Sequence, residues 1–386
     1  MENKLIRITT VPISLDKLLD GQLSFMKSHY KVIAVSSDKD YLEKIGRKEG
    51  VDIFCVEMTR KITPIKDIKA VFRLYKYFKK EKPLFVHTHT PKAGTVGMIA
   101  AWLARVPNRL HTVAGLPLME VSGKKRQLLD LVEKITYKCS TNVYPNSKGL
   151  EEIIIKERFC SKTKLKVIGN GSSNGIDTSN FDPTLFSGIQ RENLKNELEI
   201  KDTDFVFIFV GRLVKDKGIN ELVKVFDDIS KYNTKAKLLL VGPQEPKLSP
   251  LEEDTLKIIS ENNNIIEVGY QSNVRPYFSI SDALVFPSYR EGFPNVVMQA
   301  GAMGLPSIVT DINGCNEIIK ERLNGLIIPS KDEKALKIKM QLFLEDKDLF
   351  IQLKNNARKM ILDRYEQNVV WEALLAEYKS LENKNV

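Results

Sequence analysis

Residues 281–304 read SDALVFPSYREGFPNVVMQAGAMG, and their pattern sets the fold class. The apolar run Ala283–Phe286 has the length of a buried parallel strand, a polar turn containing Glu291 follows it, and a helix is expected to begin near Asn295 or Val296. The same order of strand, turn and helix recurs along the chain. It predicts an α/β protein in which helices cover parallel sheets.

Apolar runs rich in β-branched residues form two sets of expected strands. The first set is Leu5–Val11, Lys31–Ser36, Asp52–Val56, Leu84–Thr88, Leu110–Val113, Asn142–Pro145 and Leu165–Ile168. The second set is Phe205–Val210, Lys237–Val241, Ile265–Val268, Ala283–Phe286, Ser307–Thr310 and Gly325–Ile327. The pattern then turns helical, at Leu336–Glu345, Leu349–Tyr365 and Val370–Leu381.

The segment 169–183 separates the two sets, and it is dense in Gly, Asn, Ser and Asp without any periodicity. Such a composition is typical of a linker. We therefore expect two domains, 1–168 and 184–366. A final helical stretch, about residues 367–386, is expected to cross back onto the first domain.

This chain of 386 residues contains 59 lysines and arginines against 49 aspartates and glutamates, which gives a net charge of +10. Residues 1–185 carry 32 of the basic and 19 of the acidic residues, so the whole excess lies in the N-terminal half. This excess predicts an anionic partner, and nucleic acid, a phospholipid surface or a phosphorylated substrate would each fit.

Cysteine usage and hydropathy favour the cytoplasm. The four cysteines are scattered without the spacing of a metal site, and Met1–Arg7 lacks the apolar core of a signal peptide. No apolar run reaches the roughly 18 residues needed to cross a bilayer. Any membrane contact is therefore expected to be peripheral, at the inner face of the cell membrane.

A glycine-bounded turn, GRLVKDKG at residues 211–218, follows one expected strand and precedes a helix expected from about Ile219. Open α/β sheets bind ligands at such turns, and the free amides of a helix N-terminus favour anions. Arg212 and Lys217 would supply two cations suited to a diphosphate. The alternative interpretation is a solvated charged loop.

A second candidate site lies in the turn after Phe286. Glu291 could accept hydrogen bonds from a hydroxyl-rich ligand, the amides of Phe293–Val296 could hold a phosphate, and Gln299 follows one helical turn later. The alternative is that Glu291 belongs only to the acidic first turn of the helix, with Pro294 near its first position.

Taken together, these motifs resemble those of a known family. The resemblance rests on Asn174-Gly175-Ile176-Asp177 with Phe181 and Pro183, the basic pair within Gly211–Gly218, Val268-Gly269-Tyr270, and Ser288–Gly304. Because these motifs occur in this order, the chain resembles the retaining glycosyltransferases of family GT4. It resembles in particular bacterial enzymes that build capsular, O-antigen or lipid-linked saccharides. The resemblance covers nearly the whole chain. It implies the GT-B fold, two Rossmann-like domains with parallel sheets facing a central cleft, with acceptor binding in the first domain and nucleotide-sugar binding in the second.

The resemblance also implies residue roles in the second domain. Arg212 and Lys217 would hold the donor diphosphate, and Glu291 would bond hydroxyls of the transferred sugar. The implied donor-binding set is Gly211, Arg212, Lys217, Tyr270, Asn273, Val274, Glu291, Gly292, Phe293, Pro294, Asn295, Val296 and Gln299. The family has an acidic residue where this chain has Gln299, and an amide can still bond ribose hydroxyls.

Acceptor contacts are expected at strand ends of the first domain. Many family members have a histidine at the position of Ala114, so no catalytic histidine is assigned there. We expect His89 to have a catalytic or acceptor-binding role, whereas His87 and His111 could instead point into a core. Gly21 occupies the place of the family's glycine-rich loop, or it could end a helix. The expected acceptor set is Gly21, His89, Lys92 and His111.

A cationic stripe is expected on a helix at Ile65–Lys80, because its basic residues recur at helical spacing. They are Lys66, Lys69, Arg73, Lys76 and Lys80. The apolar face beside the stripe would in the simplest interpretation pack on the sheet. Its residues are Ile65, Ile68, Phe72 and Tyr75, with Val71 and Phe78. A second basic cluster, Lys124, Lys125 and Arg126, follows an apolar loop from Leu116 that could enter a headgroup layer. The two clusters predict binding to an anionic membrane surface.

The expected reaction moves a hexose or N-acetylhexosamine from a nucleotide sugar, UDP-linked, to a hydroxyl of a lipid-linked saccharide with retention of configuration. The expected lipid is a polyprenyl diphosphate. No metal or other cofactor is expected, because two cations can neutralise the leaving diphosphate. The Asp-x-Asp triplets at 38–40, 202–204 and 346–348 are interpreted as polar turns.

Three alternative functions differ from this one in testable ways. A GT-B sugar-nucleotide epimerase would convert the donor without any acceptor. A basic nucleic-acid-binding protein is disfavoured because the cations interleave with an apolar loop, so no nucleic-acid partner is expected. A dinucleotide dehydrogenase is least favoured, since Pro12-Ile13-Ser14 follows the first strand in place of a G-x-G-x-x-G turn.

Overall fold

The computed structural model describes residues 3–61, 63–116, 118, 121–246 and 249–383. The chain divides into two compact units: unit 1 is Met1–Asn174 with Asn368–Val386, and unit 2 is Gly175–Gln367. The division at Asn174 falls inside the segment 169–183 that the sequence assigns to a linker. Each unit contains a six-stranded parallel sheet, which confirms the predicted α/β class.

Unit 1 alternates strands and helices. Its strands are β1 (Lys4–Ile8), β2 (Lys31–Ser36), β3 (Asp52–Cys55), β4 (Phe85–Thr88), β5 (Asn108–Val113) and β6 (Asn142–Pro145). Its helices are α1 (Pro12–Leu18), α2 (Gln22–Lys27), α3 (Lys39–Glu49), α4 (Pro64–Glu81), α5 (Pro91–Leu103), α6 (Gly123–Cys139) and α7 (Lys148–Lys156). The strand order is β3-β2-β1-β4-β5-β6, so a topological switch point lies between β1 and β4.

Apolar side chains cover both faces of this sheet. Leu5 belongs to a buried cluster that includes Leu23 of α2, whereas its neighbour Ile6 belongs to a second cluster with Leu74 and Phe78 of α4. Successive residues of a strand point to opposite faces, so a strand buried on both sides is apolar at almost every position. This burial explains the continuous apolar runs by which the strands are recognised in the sequence.

Unit 2 repeats the same topology. Its strands are β7 (Phe205–Val210), β8 (Ala236–Val241), β9 (Ile265–Gly269), β10 (Ala283–Phe286), β11 (Ser307–Thr310) and β12 (Gly325–Ile328). Its helices are α8 (Gly188–Glu197), α9 (Ile219–Ser230), α10 (Glu253–Glu261), α11 (Arg275–Ser279), α12 (Asn295–Ala302), α13 (Cys315–Ile318), α14 (Glu333–Glu345) and α15 (Lys347–Tyr365). The order β9-β8-β7-β10-β11-β12 places the switch point between β7 and β10.

The last helix, α16 (Gln367–Asn383), packs on unit 1. Its residues Leu374, Leu375, Tyr378 and Leu381 join the buried cluster that contains Leu5. The expectation that the chain crosses back onto the first domain is therefore confirmed.

One expected strand is wrong. Residues Leu165–Ile168 form only a single bridge, between Leu165 and Val143 of β6. A 3-10 turn at Lys162–Lys164 precedes this bridge, and Gly169 turns the chain away from the sheet with φ +55°. The sheet therefore stops at β6, because too few residues run alongside its edge to form a ladder.

Candidate functional site

The turns after β7, β8 and β10 approach one another closely at the backbone. A Cβ on Gly242, in the turn after β8, would lie 1.8 Å from the carbonyl oxygen of Gly211, in the turn after β7. A 3-10 turn at Lys215–Lys217 ends at Gly218, whose φ is +72° and whose Cβ would lie 2.2 Å from the Pro287 carbonyl oxygen. Only glycine fits at these two approaches. The turns that carry the predicted cations and the predicted carboxylate therefore share one edge of the sheet, at the switch point.

Two predicted site residues form an ion pair at this edge. The Lys217 ammonium donates to the Glu291 carboxylate, and Ser288 Oγ donates to the same carboxylate at 2.9 Å. Lys217 Nζ also lies 5.5 Å from the centre of the Phe286 ring. The Lys217 and Glu291 side chains are 18% and 15% exposed, so the pair is largely shielded from water yet reachable by a ligand.

Arg212 is bound to a carboxylate that sequence analysis missed. Its Nη1 donates to Glu245 Oε2 at 2.8 Å, and the two loops also pair at Leu213 and Gln244. The available sequence signal is the turn GPQEP at residues 242–246, which follows a strand as the other two site turns do. Both cations predicted to hold a diphosphate therefore carry carboxylate counter-ions in this structure.

The turn before α12 is fixed by the loop after β11, which sequence analysis also missed. Asn313 Nδ2 donates to the carbonyl oxygens of Glu291 and Gly292 at 3.1 and 2.6 Å. A Cβ on Gly314 would lie 2.5 Å from the same Gly292 oxygen. These contacts hold the backbone that carries Glu291. Burial raises the pKa of the adjacent Cys315 thiol well above its ordinary value, and Glu291 adds to this effect.

The other predicted residues of this turn surround the start of α12. The helix begins at Asn295, as predicted, with Pro294 as its N-cap residue. Phe293 packs edge-on against Tyr365, with ring centres 5.4 Å apart. Four of the predicted residues are half-buried: Gly292, Phe293, Val296 and Gln299. The first-turn amides of an eight-residue helix at a strand end suit a phosphate.

The loop after β9 presents an exposed aromatic ring. Tyr270 is 73% exposed and follows Gly269, whose φ is +67°. Asn273 Oδ1 accepts hydrogen bonds from the backbone amide and Nε of Arg275 at 3.3 and 2.8 Å, while Val274 is the N-cap residue of α11. An exposed ring on an ordered loop offers a flat surface for a nucleobase.

In unit 1, two of the strand-end histidines are hydrogen-bonded inside the fold. His87 Nδ1 pairs with the Tyr378 hydroxyl at 2.6 Å and its Nε2 with the Thr112 hydroxyl at 2.8 Å, while His111 Nδ1 pairs with Thr88 Oγ1 at 2.8 Å. Burial lowers the pKa of His111 to about 4 and that of His87 well below its ordinary value. These contacts favour the alternative in which both histidines are core residues.

His89 lies in a different environment. Its ring stacks on His87 with centres 4.2 Å apart and is 4% exposed, yet neither ring nitrogen has a hydrogen-bond partner among the described residues. Burial, with a contribution from the Arg7 cation, holds the pKa of His89 well below its ordinary value. His89 is therefore a neutral imidazole at pH 7.

The other two expected acceptor residues contact neighbouring helices. Lys92, in the first turn of α5, forms an ion pair with Asp67 of α4. Gly21 precedes α2 with φ +76°, and a Cβ there would lie 2.8 Å from the Trp371 ring of α16. Gly21 is thus the N-cap residue of α2 and does not end a helix. Its lack of a side chain leaves room for the Trp371 indole.

A buried arginine in β1 is a further feature that sequence analysis missed. Arg7 is fully buried; its Nη1 donates to the Tyr378 hydroxyl at 2.9 Å and its Nη2 to Gln22 Oε1. Gln22 Nε2 and Trp371 Nε1 both donate to Asn174 Oδ1, at 2.9 and 2.7 Å. The sequence signal is an arginine within an otherwise apolar strand, KLIRI.

Only part of the apolar face expected of the basic helix α4 packs against the sheet: Phe78 is buried, and Val71 and Tyr75 are partly buried against the same cluster. The residues that α4 buries recur every four positions: Ala70, Leu74 and Phe78. Ile65 and Ile68 are 73% and 70% exposed, and Phe72 is also exposed. Because the row at 70, 74 and 78 faces the sheet, these three apolar side chains point away from it, beside the cationic stripe.

The loop before the second basic cluster also differs from the exposed apolar loop that the sequence predicts. Leu116 and Leu118 are buried with Tyr137, while Pro117, Met119 and Glu120 lie outside the described residues. Lys124 and Lys125 are exposed in the first turn of α6, and Arg126 is bound to Asp130 and Glu157. The helix itself instead exposes apolar side chains, at Leu128, Leu131 and Ile135.

The ranges that the structure describes contain neither a metal-ligand cluster nor a membrane-spanning helix. No group of three or more His, Cys, Asp or Glu side chains there is arranged to hold a metal ion. Two residues of the acidic triplets, Asp38 and Asp346, cap helices. None of the helices in these ranges is long and apolar enough to cross a membrane.

Comparison with known proteins defines the class of the chain. The family described as glycosyl transferases group 1 matches residues 190–360, and the glycosyl transferase 4-like domain matches residues 28–171. The chain is 34% identical to the capsular polysaccharide biosynthesis glycosyltransferase CapM of Staphylococcus aureus, covering 98% of this chain and 97% of CapM. It is 33% identical to the UDP-Gal:alpha-D-GlcNAc-diphosphoundecaprenol alpha-1,3-galactosyltransferase of Escherichia coli, covering 83% and 81% of the two chains.

A solved structure has the same fold. The crystal structure of Anabaena HepE in complex with UDP and glucose matches with a TM-score of 0.79 at 16% identity, covering 98% of this chain and 100% of HepE. The fold is GT-B, with two six-stranded parallel sheets. The chain belongs to the group 1, or GT4, glycosyltransferases, a family of enzymes that use nucleotide-sugar donors.

Proposed function

We propose that this glycosyltransferase moves a hexose or N-acetylhexosamine from a UDP-sugar to a hydroxyl of a polyprenyl-diphosphate-linked saccharide, with retention of anomeric configuration. The observation that carries the proposal is the Lys217–Glu291 pair at the switch point of unit 2, because ligands of open α/β sheets bind there. UDP occupies the related HepE structure, and the E. coli relative is named for a UDP-sugar donor and a diphosphoundecaprenol-linked acceptor.

The donor diphosphate is proposed to replace two carboxylates as the partner of the cations. Its charge would draw Arg212 from Glu245 and Lys217 from Glu291, since a phosphate offers more acceptor oxygens than a carboxylate. Glu291 is then released to accept hydrogen bonds from hydroxyls of the transferred sugar. The close backbone approach at Gly211, the amides of Gly292 and Phe293, and the first-turn amides of α12 from Asn295 onward would complete the phosphate site.

The nucleoside is proposed to lie between the loop after β9 and helix α12. Tyr270 offers its ring to the base, and Asn273 and Val274 border it. The Gln299 side chain, half-buried on α12, would bond the ribose hydroxyls through its amide.

The proposed reaction breaks the bond between the anomeric carbon and the diphosphate oxygen, and the electron pair leaves with UDP. The acceptor hydroxyl oxygen forms the new bond on the same face of the sugar, and its proton passes to the departing phosphate. Arg212, Lys217 and the helix amides stabilise the growing negative charge of UDP. Each of the two carboxylates at this edge, Glu291 and Glu245, is bound to one of the two cations, and this pairing suits a front-face departure better than a carboxylate double displacement.

Acceptor binding is proposed at the carboxyl edge of the sheet in unit 1, beside His89. Gly21 and Lys92 would border it, and His111 would support it from within the fold. A neutral imidazole can both donate to and accept from a sugar hydroxyl.

A membrane surface at the inner face of the cell is the proposed location of the acceptor. The helices α4 and α6 each expose apolar side chains among lysines: Ile65, Ile68 and Phe72 on α4, and Leu128, Leu131 and Ile135 on α6. The basic residues beside them are Lys66, Lys69, Arg73, Lys76 and Lys80 on α4, and Lys124 and Lys125 on α6. Apolar side chains among cations suit the headgroup boundary of an anionic leaflet.

The experiment is a transfer assay with a panel of UDP-sugars and undecaprenyl-diphosphate-GlcNAc as the probe acceptor. We expect one donor to give a labelled lipid product whose new linkage keeps the donor's anomeric configuration, as read by NMR. Each donor is also incubated without acceptor. An epimerised nucleotide sugar in that control, or no lipid product with any donor, would contradict the proposal.

A further inference from the structure

A small cavity in unit 1 has a lining that the proposed reaction does not explain. Its volume is about 20 Å³, which exceeds the roughly 10–15 Å³ that one water-sized group requires. Three polar residues line it at the carboxyl edge of the sheet: His89 directly after β4, Thr112 within β5, and Asn146 directly after β6. Ser173, from the segment that leaves unit 1, lines it as well.

Three of the residues that line this cavity carry polar atoms without a hydrogen-bond partner among the residues that the structure describes. Within the described chain, no hydrogen-bond partner is present for either ring nitrogen of His89, for Asn146 Oδ1 or for Ser173 Oγ, although all four atoms are buried. His89 and Asn146 are 4% and 6% exposed. An unpaired buried polar atom is costly, so four atoms of three adjoining residues mark a position where a ligand group completes the hydrogen bonds.

The backbone holds Asn146 firmly in place. Its amide donates to the Val113 carbonyl oxygen at 2.9 Å, and its carbonyl oxygen accepts from the Ser172 amide at 2.7 Å. The side chain therefore projects from a position fixed by β5 on one side and by the departing segment on the other. An unpaired Oδ1 at so ordered a place is a property of the site and not of a loose loop.

The unpaired atoms specify the chemistry of the ligand group. Asn146 Oδ1 only accepts, so it requires a donor; neutral His89 offers one donor and one acceptor, and Ser173 offers a hydroxyl. A phosphate or carboxylate oxygen could not satisfy Asn146, and an ammonium could not accept from His89. A hydroxyl both donates and accepts, and it has the size of the cavity.

We infer that this cavity is a subsite for one hydroxyl of the acceptor sugar, with Asn146 and Ser173 as recognition residues beside His89. The inference rests on the proposed function, because it assumes a saccharide acceptor. An ordered water is the other source of the same chemistry, and the experiment separates the two.

The test combines a protein variant with acceptors that lack single hydroxyls. Initial rates are measured with undecaprenyl-diphosphate-GlcNAc and its monodeoxy analogues, for the wild type and for Asn146→Ala. We expect Asn146→Ala to raise the KM for the complete acceptor about fivefold to tenfold, equivalent to about 1–1.4 kcal/mol. One deoxy analogue should raise the wild-type KM similarly and should add nothing further to the variant, because both changes remove the same contact.

Controls separate recognition from folding. Removing an unpaired carbonyl should leave the urea midpoint unchanged or raised, whereas a structural role would lower it. Ser307→Ala removes another buried unpaired hydroxyl, in unit 2, and should leave the acceptor KM unchanged. His89→Phe keeps the ring stack on His87 and should raise the acceptor KM without changing UDP affinity.

Two outcomes would overturn the inference while leaving the proposed function intact. One is an acceptor KM within twofold of wild type in both Asn146→Ala and His89→Phe. The other is additive effects of Asn146→Ala and every deoxy analogue, which would assign the cavity to water. Absence of transfer by the wild-type enzyme would instead contradict the proposed function itself.

Discussion

The two units share one strand order, 3-2-1-4-5-6, yet hold opposite chemistry at the carboxyl edges of their sheets. Unit 2 places ion pairs there, Lys217 with Glu291 and Arg212 with Glu245. Unit 1 places neutral imidazoles, hydroxyls and an amide there, and all four histidines of the chain belong to it. The same scaffold therefore presents a cluster of ion pairs at this edge in unit 2 and, in unit 1, an uncharged hydrogen-bonding cavity beside His89, with the Lys92–Asp67 ion pair at its border.

The net charges of the two units show the opposite contrast to the charges at their strand ends. Unit 1 contains 34 Lys and Arg against 20 Asp and Glu, a balance of +14, whereas unit 2 contains 25 against 29, a balance of −4. The unit with the neutral site thus has the cationic surface, and the unit with the cationic site is slightly acidic overall. The net charge of a unit therefore does not predict the charge of the side chains at its strand ends.

The largest expected difference between the units is acid sensitivity. Burial holds the pKa values of His87, His89 and His111 below the ordinary 6.5, at about 4 for His111. Below about pH 6.5 the unfolded chain binds protons at these residues and the folded chain does not. The free energy of unfolding of unit 1 should therefore fall as pH drops from about 6.5 towards 4, by about 1.4 kcal/mol per pH unit for each histidine.

Tryptophan fluorescence can isolate this effect, because both tryptophans, Trp102 and Trp371, lie in unit 1. The urea midpoint reported by fluorescence should fall between pH 7 and pH 5. Amide exchange in β7 and β10 reports on unit 2, which has no histidine, and should respond less over the same range. Equal responses of the two units would contradict the assignment.

The second expected effect is on catalysis in unit 2. Lys217→Ala removes a largely shielded cation from the site, and kcat/KM should fall about 10²-fold to 10³-fold, as on loss of one preorganised donor. Lys215→Ala is the matched control, because this lysine lies in the same turn but pairs with exposed Glu252. Turnover of Lys217→Ala within about twofold of the parent enzyme would show that Lys217 does not stabilise the leaving diphosphate.

The third expected effect concerns the cationic surface of unit 1. The double variant Ile65→Glu/Phe72→Glu should lower binding to phosphatidylglycerol-containing vesicles by at least about tenfold in a flotation assay, since apolar burial contributes about 25 cal/mol per Å². Ile189→Glu, at an equally exposed position of unit 2, is the control. Negligible wild-type binding both to these vesicles and to neutral vesicles would leave α4 as an ordinary surface helix.

The smallest expected effect is on donor affinity. The Arg212–Glu245 pair is partly exposed, and such pairs contribute about 0.2–1 kcal/mol. Glu245→Gln should therefore tighten UDP binding by up to about fivefold, because Arg212 no longer exchanges a counter-ion. Calorimetric titration of UDP checks this prediction. The control variant is Glu252→Gln, which removes the partner of Lys215. Weaker UDP binding would mean that Glu245 orients Arg212 and does not compete for it.

The sequence predicts the elements well, because their signals are local. Burial on both faces makes the strands continuous apolar runs, so β2, β6, β7, β10 and β11 have the predicted bounds. The turns with Arg212 and Glu291 are recognisable for the same reason, since each directly follows a strand. Strand alternation also accounts for the stacking of His87 on His89, two residues apart on one face.

The partners of these residues are not predictable from local patterns. Glu245 and Asn313 reach the site from loops after other strands, so only the folded sheet brings them together. The buried face of α4 is predicted only in part, for a related reason. A helical wheel of α4 has apolar residues on several sides, so it does not show whether Leu74 or Ile65 faces the sheet. The packing of α4 against its neighbours determines which side is buried.

The central claim is that the anion of the donor and the hydroxyls of the acceptor are recognised by different units. Calorimetric titration of UDP into the wild type, Lys217→Ala and Asn146→Ala tests it most directly. Lys217→Ala should weaken UDP binding at least about tenfold, or about 1.4 kcal/mol, and Asn146→Ala should leave UDP binding within twofold of the wild type. Undiminished UDP binding by Lys217→Ala, or equal losses in both variants, would contradict the division between the two units.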